Sequence, residues 1–94
     1  MKFKLSLPND YASEKDSEAA FLQAFGEGAE NRRLDPEAEN IAYEPIADAA
    51  NAAGLTYAAE STYGAIWEGT LEQFAACVAE LPAWAQRYAS ILEE

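Results

Sequence analysis

The sequence predicts a small α+β domain, a mostly antiparallel sheet with helices packed on one face, in the order β-α-α-β-β-α. Three observations predict it. Residues 2 to 7 alternate polar and apolar side chains, three longer stretches repeat apolar residues at three-and-four spacing, and two short runs rich in tyrosine and threonine have the length of hairpin strands. Ninety-four residues fit one domain, residues 1 to 94. Many of its apolar residues are alanine, so the core depends on the aromatic side chains and could be supplemented by a partner or a dimer.

Phe3, Leu5 and Leu7 alternate with Lys2, Lys4 and Ser6, and Pro8-Asn9-Asp10 ends this first strand. Its two lysines suit an edge strand, where they would oppose pairing with another chain. Ser13 to Phe25 reads as the first helix, capped by Ser13, with Glu14, Asp16 and Glu18 near its positive end and Phe21, Leu22 and Phe25 facing inward. Glu27 to Arg33 is a loop carrying the Arg32-Arg33 pair, whose charges neutralise Glu27, Glu30 and Asp35.

Asp35-Pro36 begins the second helix, an N-cap followed by proline at the first helical position. Ala38, Ile41, Ala42, Ile46, Ala49 and Ala53 keep one face up to Gly54, in phase across Pro45. Leu55 to Ala59 and Thr62 to Glu68 form a hairpin about Glu60-Ser61. Thr70 and Gln73 then make a capping box for the longest apolar stripe, from Leu71 through Phe74, Cys77, Val78, Leu81, Trp84, Ala85 and Tyr88 to Ile91 and Leu92. Because that stripe keeps its phase across Pro82, the reading is one kinked helix rather than two.

The charge distribution excludes more than it assigns. Seventeen acidic residues face six basic ones, for a net charge of −11, and no Lys or Arg lies between Arg33 and Arg87. Direct nucleic-acid binding needs clustered cations, and anionic membranes repel such a chain. Histidine is absent and Cys77 is the single cysteine, so one chain offers no internal disulfide, Cys/His zinc site or histidine-based nucleophile. No carboxylate pair is marked for glycoside hydrolysis, and Asp35-Pro-Glu-Ala-Glu-Asn lacks the central glycine of a calcium loop. No catalytic residue, cofactor or metal is expected. With no signal-peptide pattern and no transmembrane-length run, a reducing cytoplasmic setting is the expectation.

Glu37, Glu44 and Asp48 recur at i, i+7 and i+11 on the outer face of the second helix and span about 16 Å at 1.5 Å per residue. Asn40 and Asn51 extend the stripe, and Asp35 and Glu39 complete the candidate partner-binding set. An acidic helix face is often only solvated. Here no Lys or Arg offsets it, whereas ordinary surfaces mix both signs. In size, charge and lack of catalytic groups the chain resembles the small acidic inhibitors of phages and mobile elements, anti-CRISPR proteins and DNA mimics among them. That resemblance implies a non-enzymatic inhibitor whose partner is a basic, nucleic-acid-binding protein. The alternative is a homo-oligomeric adaptor domain assembling through Tyr57, Tyr63, Trp67, Trp84 and Tyr88.

Overall fold

Four strands form one antiparallel sheet in the order β2-β3-β1-β4: β1 (Lys2–Ser6), β2 (Thr56–Ser61), β3 (Gly64–Glu68) and β4 (Ala89–Leu92). The α+β class and the order of its first six elements are those the sequence predicts. This computed structural model describes residues 1–8, 14–26, 36–61 and 63–92. Asn9, Asp10, Ser13, the Glu27 to Arg33 loop, Asp35 and Thr62 lie outside the described residues.

Period-two alternation places Phe3 and Leu5 on one face of β1, opposite Trp67 and Ala65 of β3, and all four are buried. Lys2 and Lys4 point to the other face, opposite Glu68 and Ile66. The expected edge role of these lysines is corrected: β1 is interior, paired with β3 on one side and β4 on the other. The edges are β2 and β4.

The helices cover the Phe3 face. In α1 (Glu14–Phe25), Ser17, Ala20 and Phe21 are buried, whereas Leu22 is 59% exposed. At about 100° per residue Leu22 falls outside the arc shared by Ser17, Phe21 and Ala24, so its expected inward position is corrected. In α2 (Pro36–Ala52), Ala38, Ala42, Ile46, Ala49 and Ala50 are buried, and the helix runs unbroken through Pro45. Proline there removes a bond to the carbonyl of Ile41, which lies on the solvent side and is 41% exposed, so water can replace it. Gly54, at φ 87°, turns the chain out of α2.

The last stretch departs from one kinked helix. The helix α3 (Leu71–Glu80) ends at Leu81, a single turn α4 (Ala83–Gln86) follows, and the chain then becomes β4. Pro82 favours the break, because a residue before proline is pushed from the helical region, and Leu81 sits at φ −67°, ψ 144°. The Val78 carbonyl that Pro82 would have served accepts instead from the Leu81 N–H at 3.2 Å and the Gln86 Nε2 at 3.4 Å. Continuity of the apolar stripe survives only in part, for Cys77, Leu81, Trp84 and Ala85 are buried while Leu71 and Ile91 are exposed.

At its start α3 carries the expected capping box, with the Thr70 Oγ1 accepting from the Gln73 N–H at 3.1 Å and the Gln73 Oε1 from the Thr70 N–H at 2.8 Å. The Gln73 Nε2 also donates to the Gly54 carbonyl at 3.3 Å. One side chain thus ties the end of α2 to the start of α3. Phe3 stacks on Phe74 with ring centres 4.3 Å apart, joining sheet to helix.

Candidate functional site

Glu37, Glu44 and Asp48 are all exposed along α2. Helical steps of about 100° place them within roughly 40° of one another, opposite the buried Ala42 and Ile46. Ile41 lies about 20° beyond Asp48 around the helix, so one exposed aliphatic side chain flanks the acidic stripe. Its assignment to the inner face is corrected by that position. Neither Glu44 nor Asp48 forms an ion pair among the described residues. Lys2 and Lys4 stand on the open sheet face, and Arg87 pairs with Asp16 of α1 at 3.6 Å.

Glu39 parts from this set. It is turned by about 200° from Glu37, toward the hairpin, where it lines a cleft between α2 and the β2–β3 strands. Asn40 lines it too, beside Tyr43, Tyr57, Glu60 and Tyr63. The fifth predicted residue, Asp35, lies outside the described residues.

A β-bulge builds the hairpin side of the cleft. Tyr57 pairs with Trp67 and Ala59 with Ile66, so Ala58 is an extra residue and the alternation of β2 resets there. As a result Glu60, not Ala59, follows Tyr57 on the face shared with their register partners Ala65 and Trp67, the face that the helices cover. Both side chains therefore rise toward α2. The turn beyond them holds Tyr63 at φ 60°, a left-handed backbone that bulky residues rarely adopt. Its carbonyl accepts from the Leu7 N–H at 2.7 Å, which helps fix the strained turn.

The cleft floor is a hydrogen-bonded chain. The Trp67 Nε1 donates to the Tyr43 hydroxyl at 3.1 Å, and that hydroxyl donates to the Leu5 carbonyl at 2.8 Å. Burial is the main reason the Tyr43 phenol is pushed up to about 12, so it stays protonated at neutral pH. Tyr57 meets Trp67 edge-on, with ring centres 5.6 Å apart.

The remaining sequence candidates divide by burial. Trp67 and Trp84 are buried, and Trp84 donates to the Gln23 Oε1 at 2.8 Å. Tyr88 is half-buried with its hydroxyl donating to Asp16, leaving Tyr57 and Tyr63 as the exposed members of the aromatic set. Cys77 is free and fully buried, and burial pushes its thiol up. Among the described residues no group of three or more Cys, Asp or Glu could hold a metal ion, and no helix is long and apolar enough to cross a membrane.

Sequence reasoning found the stripe and missed the cleft. Helical arithmetic alone separates Glu39 from Glu37, but period-two reading cannot bring Tyr57 and Glu60 together, because only the bulge does so. No known protein family, curated protein or solved structure matches the chain.

Proposed function

We propose that the protein is a non-enzymatic cytoplasmic inhibitor that occupies the nucleic-acid-binding surface of a basic partner, with an anti-CRISPR role as its specific form. The observation that carries this reading is the exposure of Glu37, Glu44 and Asp48 on one side of α2 with no lysine or arginine on that helix. Three carboxylates over about 16 Å stand where a nucleic-acid strand, at ~3.4 Å per phosphate, presents about five charges. Such a field steers encounter with basic surfaces. Ile41 adds apolar contact at the margin of the stripe, which gives a docked partner something to bury besides charge.

The test is capture from a bacterial lysate on immobilised protein, at low and high salt and with added DNA. Basic nucleic-acid-binding proteins should be retained at low salt and released both by salt and by DNA. Retention indifferent to DNA would remove the competitive reading.

A further inference from the structure

We propose that the cleft between α2 and the β2–β3 hairpin is a receptor for one arginine side chain, its guanidinium lying against Tyr57 and Tyr63 and forking onto Glu39 and Glu60. The cleft holds about 250 Å³ and is lined by these four residues above Tyr43. Drug-sized ligands occupy pockets of about 300 to 1,000 Å³, so this one suits a single side chain. Two carboxylates and no lysine or arginine line it, which selects a cation.

The aromatic walls select among cations. A planar guanidinium stacks on tyrosine faces and bonds carboxylates in a fork, whereas an ammonium is more strongly hydrated and meets both only as a point charge. A metal ion is poorly served, because calcium takes six to eight oxygen ligands and two carboxylates supply few of them. The walls are also held in advance. Tyr43 is fixed by Trp67 and Leu5, Tyr57 rests on the Trp67 ring, and the Tyr63 backbone is tied to Leu7. Ordering on entry then falls mainly on the exposed Glu39 and Glu60 side chains and the Tyr63 ring.

This inference rests on the inhibitor reading only for the source of the arginine, a basic partner. Glu39 links the two regions, since it belongs to the same helix as the stripe and faces the cleft. The cleft and the stripe lie on different sides of α2, so a partner that uses both must wrap around the helix past Asn40, setting one arginine into the cleft while its other cations face Glu37, Glu44 and Asp48.

The site is tested without any partner. Nα-acetyl-arginine methylamide is titrated into the protein and followed by amide NMR, including the Trp67 indole N–H. Saturable shifts should centre on residues 39 to 43, 57 to 64 and Trp67. The neutral citrulline analogue should produce none, and Nα-acetyl-lysine methylamide should bind more weakly. Tyr57→Ala, Glu60→Gln and Tyr63→Asn should each weaken the arginine probe by about threefold to thirtyfold. Asn tolerates the left-handed backbone, so the last variant removes a ring without forcing the turn.

Equal shifts from citrulline, shifts confined to the outer face of α2, or a stronger response to calcium than to the arginine probe would each overturn the proposal. A partner held by the acidic stripe with no arginine response would remove the cleft alone. An arginine response with no salt-sensitive partner would remove the inhibitor reading and leave the cleft standing.

Discussion

Trp67 donates its indole N–H to the hydroxyl of Tyr43 at 3.1 Å, and so ties the middle of β3 to the middle of α2. The same hydroxyl donates to the Leu5 carbonyl, so one phenol serves two neighbours. Tyr43→Phe leaves the Trp67 donor without that acceptor. The expected cost is about 1 to 3 kcal/mol, read as a lower urea midpoint with an unchanged slope. A midpoint equal to wild type would show that water serves Trp67 as well as Tyr43 does.

Tyr43 also gives the stability an alkaline signature. Its folded value, about 12, lies above the ordinary 10.0 because burial disfavours the phenolate. The unfolded chain therefore ionises first, and this contribution is full below pH 10.0 and lost as pH rises toward about 12. Urea midpoints measured from neutral pH to about 12 should converge for wild type and Tyr43→Phe. Parallel curves would contradict the assignment.

Gly64 marks a close approach of two backbones. A Cβ there would collide with the Leu5 carbonyl oxygen and come within 2.7 Å of the Ser6 Cα. Gly64→Ala must push β3 from β1 at the register where Ser6 faces it, and should cost at least ~2 kcal/mol in thermal or urea unfolding. A neutral result would mean that the β1–β3 pairing is looser than its register implies.

Cys77 should resist thiol reagents in the native protein and react stoichiometrically once urea unfolds it, since the side chain is fully buried and its thiol is pushed up. Rapid native labelling would reopen a reactive or dimerising role for it.

The inhibitor reading permits a monomer, whereas the adaptor reading requires self-association. With Trp67 and Trp84 inside the core, Tyr57 and Tyr63 are the exposed large aromatics among the described residues. Sedimentation at micromolar concentration should show a monomer. A stable dimer insensitive to salt would favour the adaptor.

Elements whose causes are local were legible in the sequence. Alternation in β1, the three-and-four pattern of α2 and the Thr70–Gln73 capping box each depend on residues a few positions apart. Two prolines show where this reading ends. Both sit in apolar stripes that keep their phase, yet α2 continues through Pro45 and α3 stops before Pro82. What differs is tertiary: α2 is packed on the core on both sides of Pro45, while the chain beyond Pro82 turns back to pair β4 with β1. The site divides likewise. A single helix sets the stripe, so periodicity finds it; the cleft needs a bulge in one strand, a strained turn and a distant helix.

The acidic stripe is tested most directly by reversing it. Glu37, Glu44 and Asp48 are exposed helix positions where Lys costs little in propensity, so the triple change to Lys should leave the circular dichroism unchanged. Lost exposed pairs are each worth about 0.2 to 1 kcal/mol, and reversal turns attraction into repulsion, so the three together should weaken binding of the captured partner by several kcal/mol. Association kinetics at two ionic strengths are the measurement. The account predicts a collapse in affinity carried mainly by the association rate, and a salt dependence that is steep for wild type and shallow for the variant. A folded triple variant that binds the partner as wild type does would contradict it, and would move the binding surface off the outer face of α2.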